Sequence, residues 1–380
     1  MTNYEFLKKY QRLQEGIAID KIIDLGFASI GFSLKDKSSF WNLAIVNTVV
    51  NDSQIALIED NLIKLQRNPT IYFEDRPDLS PLANLLEGKG YKKSFADAWQ
   101  FWKGEVIDES HFSSVKKVDS EEMLQTYLKT FNECYLKDDP QNPYGELGEY
   151  LQTAEDAWHK HNGTGRLEYF IAYKADSPVA VSALTNFEGL GYISNVGTLP
   201  GVRGEGFGKL ITHYCVFRSI ENGNTEHCLA TEEGEYPNEF YKRIGFETRF
   251  NALAYTKDQR SARILNELKS RYPGKDAYDL DGRGMHFVCE VEPVSEHPEY
   301  DKAVEVMIES RPHKHLKMVQ NYTILRGNLE LHLDDNIIKL KTGDKYTVLP
   351  NTVHWAKSDN ECWVEIYSKP GWTKEDHIIV

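Results

Sequence analysis

The sequence predicts two architectures in one chain: an α/β part over residues 1–256 and a small all-β barrel after it. Strand and helix patterns alternate through the first part. Two of its segments also close alike, in the order strand, helix, Gly, aromatic, strand: "IYFEDRPDLSPLANLLEGKGY" and "LATEEGEYPNEFYKRIGF". From about residue 257, after the basic helix "DQRSARILNELKSRYPG", helical periodicity stops, and short strands punctuated by Gly, Asn and Asp take over at close spacing.

Composition bounds the answer. At 380 residues the chain exceeds one ordinary core, and roughly 150 residues per domain points to two or three units. The net charge of −14 is spread along the chain with no Lys/Arg-rich run, which argues against nucleic acid, since neutralising phosphates needs a positive footprint. The N-terminus is polar without an apolar core, and no run of about 18 apolar residues follows, so neither secretion nor membrane spanning is expected. Cys134, Cys215, Cys228, Cys289 and Cys362 are scattered and never form a C-x-x-C pair; they fit reduced thiols in the cytoplasm.

Three segments follow from the patterns: 1–107, 108–256 and 257–380. The first opens with a helix and continues with a strand in "FWNLAIVNTVV", a helix in "SQIALIEDNLIKLQRN", the strand "TIYFE", a helix ended by Gly, and a strand near "AWQFWKG". The second has helices near 119–136 and 144–161, then the strands "EYFIAYKA", "PVAVSALTNF" and "GYISNVGTL". A glycine loop, the helix "FGKLITHYCVFRSIENG", the strand "EHCLATE", the helix "NEFYKRIG" and the strand "LAYTK" complete it. The shared ending suggests an internal duplication.

The loop "GVRGEGFGKL" decides the chemistry. A Walker A loop needs Ser or Thr after Gly-Lys, where Leu210 stands, and a dinucleotide fingerprint needs Gly where Lys209 stands. Arg-x-x-Gly-x-Gly does fit, as Arg203, Gly206 and Gly208 between a strand and a helix, where glycine backbone and helix-start N–H groups suit a diphosphate. This resembles the acetyl-CoA loop of the GNAT acyltransferase family. A second motif of that family, Y-x-x-x-G-F, is matched by Tyr241, Gly245 and Phe246.

The resemblance implies acetyl-CoA held along Val196, Gly197, Thr198 and Arg203, Gly204, Glu205, Gly206, Phe207, Gly208 and Lys209. It also implies an oxyanion donor in the N–H of Val196 or Gly197, and Tyr241 as the acid that protonates the CoA thiolate. Glu232 and Glu233, at the end of a strand, are placed as candidate bases facing the cleft; adjacent carboxylates there also suit solvent, and a water chain is the alternative. Residues 1–107 lack the loop and read as a degenerate GNAT-like unit, structural or a wall of the acceptor pocket.

Two H-x-H pairs occur. His159 and His161 fall on a helix, where residues two apart diverge, and read as surface residues. His313 and His315 fall where a strand is expected and share a face. With Gln320, Gly327, Gly343, Pro350 and His354 they resemble both cupin motifs, with Gln320 where the family usually has glutamate. His313, His315, Gln320 and His354 suit a divalent transition metal: Zn, Mn, Fe or Ni. Tyr322, Tyr346, Trp355 and Trp363 offer aromatic walls or core; His286, His332 and His377 match no motif position.

The fold class is therefore an α/β tandem GNAT-like acyltransferase fold followed by an all-β small cupin barrel. The expected activity is acetyl transfer to a small-molecule amine, beside a cupin that binds or converts a small metabolite. Two alternatives stand: a cupin that senses a metabolite and tunes the transferase, and a cupin isomerase or dioxygenase with an inactive GNAT part. Small barrels of this type dimerise through edge strands, so a homodimer is also open.

Overall fold

The computed structural model describes every residue except Asp138, Pro143, Glu149, Asp281 and Asp335. It divides into two compact units, Met1–Lys257 and Asp258–Val380.

The first unit opens with α1 (Asn3–Gln14), β1 (Lys21–Asp24), β2 (Ala28–Phe32), β3 (Leu43–Val46), α2 (Asp52–Lys64), β4 (Thr70–Glu74), α3 (Ser80–Gly88) and β5 (Lys92–Trp102). It continues with β6 (Val115–Lys117), α4 (Glu121–Cys134), α5 (Tyr150–His161), β7 (Leu167–Lys174), β8 (Ser177–Phe187) and β9 (Leu190–Thr198). It closes with α6 (Phe207–Glu221), β10 (Glu226–Glu232), α7 (Tyr236–Arg243) and β11 (Phe246–Thr256). All the strands form one sheet of order β1-β2-β3-β4-β11-β5-β10-β9-β8-β7-β6.

That order contains a reciprocal exchange. The strands β3 and β4 pair in parallel, as do β9 and β10. The last strand of each series then crosses over: β5 pairs with β10, and β11 pairs with β4. The two α/β segments of the sequence thus share one sheet.

Local chemistry explains the helices. In α2, Asn51 and Gln54 form a reciprocal capping box, and Ile55, Ile58 and Leu62 recur on the face buried against β3 and β4. Ser120 caps α4, whose Leu124, Tyr127, Leu128 and Phe131 pack with α5 under β7 and β8. Phe6 of α1 meets Trp99 edge-on at 5.1 Å, and Trp99 stacks on Phe250 at 6.1 Å, so aromatic packing pins both exchanged strands.

Three details depart from the sequence reading. The hairpin β1–β2 is short and turns at Gly26, whose φ of 79° only glycine adopts readily, and its outer strand lacks the alternation that marks a half-buried strand. The run "FWNLAIVNTVV" yields only Leu43–Val46 as strand. Conversely β5 starts at Lys92, because its polar beginning is held by pairing with Tyr255 and Thr256.

The second unit contains α8 (Gln259–Arg271), β12 (Ala277–Asp279), β13 (His286–Glu292), β14 (Asp301–Glu309), β15 (His313–His315), β16 (Val319–Arg326), β17 (Asn328–Leu333), β18 (Asn336–Lys341), β19 (Lys345–Val348), β20 (His354–Lys369) and β21 (His377–Ile379). The 16-residue β20 pairs antiparallel with β14, β15, β16 and β17. One strand serving four partners forces the sheet to curl. At Gly327, φ is 95° and a Cβ would lie 2.8 Å from the Glu361 carbonyl, so the turn from β16 to β17 needs glycine.

Tyr322 and Trp363 are core residues rather than ligand walls: Tyr322 packs among Met307, Ile324 and Ile366, and Trp363 with α8 residues Ile264 and Leu268. Among the described residues, no helix of the protein is long and apolar enough to cross a membrane.

Candidate active site and metal centre

The first site starts from a fault in the sheet. Asn195 has a φ of 54°, and the register of β9 against β8 slips there between Val181 and Ala183. On its other edge β9 pairs with β10 only from Leu190 to Tyr192, after which β10 continues with β5 instead. The backbone of Ile193–Thr198 therefore parts from Leu229–Glu232 and opens a cleft, lined on both sides, of about 690 Å³.

The glycine loop stands at one end of this cleft. Gly204 and Gly206 have φ values of 83° and 94°, with open space where a Cβ would be. Gly206 is the N-cap of α6 and has no side chain to cap it, so the first-turn N–H groups of Phe207, Gly208 and Lys209 lack intrahelical acceptors. These amides and the Lys209 ammonium make an anion cradle. At Gly208 a Cβ would crowd Thr198 and Phe240 at 3.2 and 3.3 Å. The start of α2 differs, because its capping box already satisfies those donors.

Arg203 is differently engaged than its motif position suggests. Its guanidinium grips Asp139 with Nη1 and Nη2 at 2.9 and 2.6 Å, and Nε donates to the Thr198 carbonyl at 3.2 Å. The pair holds the Asp139 carboxyl below its usual range and anchors the loop to β9. Glu205 turns outward to Lys174 at 2.7 Å.

Val196, Gly197 and Thr198 line the cleft, as do Tyr241 and Glu232. Burial drives the Tyr241 phenol far above its ordinary value, so it stays protonated. Burial, then Glu235, raises the Glu232 carboxyl. Glu233 does not face the cleft: it is exposed and accepts from the Asn251 amide on β11. Successive residues of an extended chain point to opposite faces, so these neighbours could not share one. Cys134 also lines the cleft, but burial pushes its thiol up to about 12, which disfavours the thiolate a nucleophile needs.

The second site is a group of histidines on the curled sheet. Register sets His313 opposite His354 of β20 and His315 opposite His377 of β21. Side-chain nitrogens of His313, His315 and His354 lie within 4.8 Å of one another. Nδ1 of His313 donates to the Arg311 carbonyl at 2.8 Å, and Nδ1 of His354 to the Thr352 carbonyl at 3.0 Å. A carbonyl can only accept, so each neutral ring keeps a free Nε2 lone pair.

That lone pair on His354 lies 2.9 Å from the Gln320 side-chain amide, close enough for the two groups to hold one cation together. His315 is 3% exposed and neither ring nitrogen has a hydrogen-bond partner. Burial, followed by His354, holds His313 and His315 down to about 3 and about 4, so both rings are neutral. These donors fit a divalent transition metal. The ring of His377 stacks on His313 at 4.6 Å, from a strand outside the motif. His332 stacks on Trp355, and His286 bonds Glu305 at 2.6 Å. On the first unit, His161 bonds the Gly16 carbonyl at 2.9 Å, while His159 is exposed beside Glu121.

Residues 124–246 match the model of the Acetyltransferase (GNAT) family. That segment belongs to the GNAT acetyltransferase family. Among solved structures, the chain is similar to a GCN5-related N-acetyltransferase from Kribbella flavida at 18% identity and TM-score 0.48, covering 66% of this chain and 94% of that one. It is similar to a functionally unknown conserved protein from Staphylococcus epidermidis at 13% identity and TM-score 0.47, covering 63% and 94%. It is also similar to the nucleoside dehydratase Pac13 of Streptomyces at 15% identity and TM-score 0.25, covering 29% and 87%. No curated protein matches the chain.

GNAT enzymes bind acetyl-CoA, and the uncapped start of α6 beside the parted strands fits such a ligand. The cleft of the GNAT segment is completed from outside it: Asp36, Trp41 and Asp97, all N-terminal to the family match, line it too. Asp97 sits on β5 directly across from Glu232. Its Oδ2 accepts from the Tyr72 hydroxyl at 2.8 Å, which in turn accepts from Trp99 Nε1 at 2.8 Å. Burial pushes the Asp97 carboxyl up to about 7, with Glu232 adding to the rise and the Tyr72 bond opposing it. Nothing local in "SFADAWQFW" marks this residue; only the exchange of β5 brings it to the cleft.

Proposed function

We propose that this protein transfers an acetyl group from acetyl-CoA directly to the amine of a small molecule, in a tandem GNAT-like unit. A C-terminal cupin would bind a divalent metal and a small metabolite. The observation that carries the transferase reading is the uncapped N-terminus of α6 opening onto the parted strands β9 and β10. The tandem reading draws support from the reciprocal strand exchange and from the repeated order strand, helix, strand, helix, strand. The self-capped α2 argues for one cofactor site, not two.

In this mechanism the α6 amides and Lys209 hold the diphosphate, while the Arg203–Asp139 pair keeps the loop in place. A backbone N–H at Val196 or Gly197 polarises the thioester carbonyl, and Tyr241 donates its proton to the leaving sulfur. With Cys134 protonated, an acyl-enzyme on that residue has no nucleophile, which favours direct transfer. For the cupin, His313, His315 and His354 with Gln320 would hold the metal, which would supply Lewis acidity to a bound metabolite.

Calorimetric titration of acetyl-CoA tests the first reading. One site per chain is expected, lost in Arg203→Ala, Gly206→Asp, which frees the loop and sets a carboxylate in the cradle. Saturable binding in that double variant would refute the site. Tyr241→Phe should slow turnover with acetyl-CoA affinity unchanged. For the cupin, His313→Ala and His354→Ala should each lower metal content to background by elemental analysis.

A further inference from the structure

We infer that the acceptor subsite belongs to the N-terminal segment: Asp97 receives the substrate ammonium and takes its proton, and the acceptor is a compact amine with an apolar body and no anionic group. This rests on the transferase reading and names what that reading leaves open. Asp36, Asp97 and Glu232 all line the cleft, Asp97 paired across the sheet from Glu232, and the cleft's wall includes Trp41 and Tyr150, whose rings stack at 6.1 Å and 8°. Among the described residues that line the cleft, the cations are Arg203, committed to Asp139, and Lys209, both on the glycine loop. A phosphate or carboxylate on the acceptor would therefore meet carboxylates without a counter-charge, whereas an ammonium on an apolar stem meets both complements it needs.

Asp97 is built for the proton. One oxygen is fixed by the chain from Trp99 through Tyr72, which orients the carboxyl. The other oxygen takes no hydrogen bond from any described residue, and Asp97 lines the cleft. The ionisable groups around it are Tyr72 on β4, Tyr10 on α1, Tyr192 on β9, Glu232 on β10, and Tyr144 between α4 and α5. None carries positive charge, and Glu232 raises its basicity. A carboxylate poised near neutrality is an effective general base.

The protons balance as follows in the transfer. Asp97 accepts one proton from the ammonium, leaving a neutral amine whose lone pair forms the C–N bond. As the C–S bond breaks, Tyr241 gives its proton to sulfur and is restored by the second proton leaving nitrogen. Asp97 finally releases its proton to solvent, so one proton is produced per amide formed.

The test uses the full chain, with CoA release followed by a thiol reagent over a range of pH. Tyramine and 1,4-diaminobutane should be acetylated in preference to glutamate and glucosamine 6-phosphate; a preference for either anionic amine would overturn the acceptor assignment. The wild-type kcat/KM for tyramine should rise with pH through about 7. Asp97→Asn should lower it by about 100-fold or more and abolish that limb; retained rate with the same limb overturns the role of Asp97. Glu232→Gln should move the limb to lower pH, and an unmoved limb counts against Asp97 as the titrating group. Tyramine binding to the CoA-saturated protein, measured by calorimetry, should weaken at least about tenfold in Asp97→Asn, as for the loss of a charge-assisted contact. Absence of acetyl-CoA binding to the wild-type protein would instead refute the transferase reading.

Discussion

A buried carboxyl held near neutrality should weaken the fold it sits in, and Asp97→Asn exposes by how much. The folded carboxyl sits at about 7 against an ordinary 3.8. A gap of about three between those values, at ~1.4 kcal/mol for each, comes to about 4 kcal/mol. Between the two values the folded chain retains a proton that the unfolded chain has lost, so stability falls as pH rises across that window. Above it the full cost stands. Asparagine cannot ionise and its Oδ1 still accepts from Tyr72, but its amide N–H groups need partners, which returns about 2 kcal/mol of the gain. At about pH 8 the variant should therefore be about 2 kcal/mol more stable, or about 4–8 °C in Tm for a unit of this size. At about pH 4.5 the sign should reverse, the variant being about 1 kcal/mol less stable, because both forms are then neutral when folded and the cost of the unpaired amide remains. Scanning calorimetry of the transition of the first unit at the two pH values measures this. Equal Tm at the higher pH, or a gap of unchanged sign at the lower, would refute the placement of Asp97 in a low-dielectric pocket.

Tyr72→Phe should move the activity limb to higher pH, since its hydroxyl favours ionised Asp97, and should cost about 1–3 kcal/mol by stranding Trp99 Nε1; a pH profile and a melt report both. In Gly197→Ala the new Cβ would lie 2.6 Å from Cys134 Cβ, so α4 must shift: stability should fall by about 1–3 kcal/mol and acetyl-CoA should bind more weakly. His315→Ala should empty the metal site by elemental analysis yet leave the metal-free protein as stable or slightly more so, because it removes two buried nitrogens without partners.

What was legible in the sequence was what is local. The glycine loop, Tyr241 and the spacing of His313, His315 and His354 each sit within a short run whose chemistry depends on neighbours in the chain; the first two line one cleft and the three histidines lie within reach of one another. Glu233 departs from the expected cleft face because side chains alternate along an extended chain, which turns it away from its neighbour Glu232 and toward Asn251. Asp97 was invisible for a different reason: its partners Tyr72 and Glu232 are set by pairings across the exchanged strands, over distances that no periodicity reports. The same holds for His377, which joins the histidine group only through the pairing of β21 with β15. The strands β1 and β2 escaped because a short hairpin capping a sheet edge shows little of the alternation that a half-buried strand does.

The exchange of β5 and β11 has a consequence during synthesis. Thr70 and Thr256 bond across β4 and β11 although 186 residues separate them. While the ribosome is still making the second α/β segment, β4 and β5 therefore lack the strand that lies between them in the finished sheet. Until residue 256 has cleared the exit tunnel, apolar strands such as "TIYFE" and "FADAWQFW" present open edges to the cell. A nascent chain of this protein should thus be a client of chaperones from the emergence of β4 and β5 until β11 follows, and cutting it near residue 107 should yield two fragments that aggregate apart and find each other when made together.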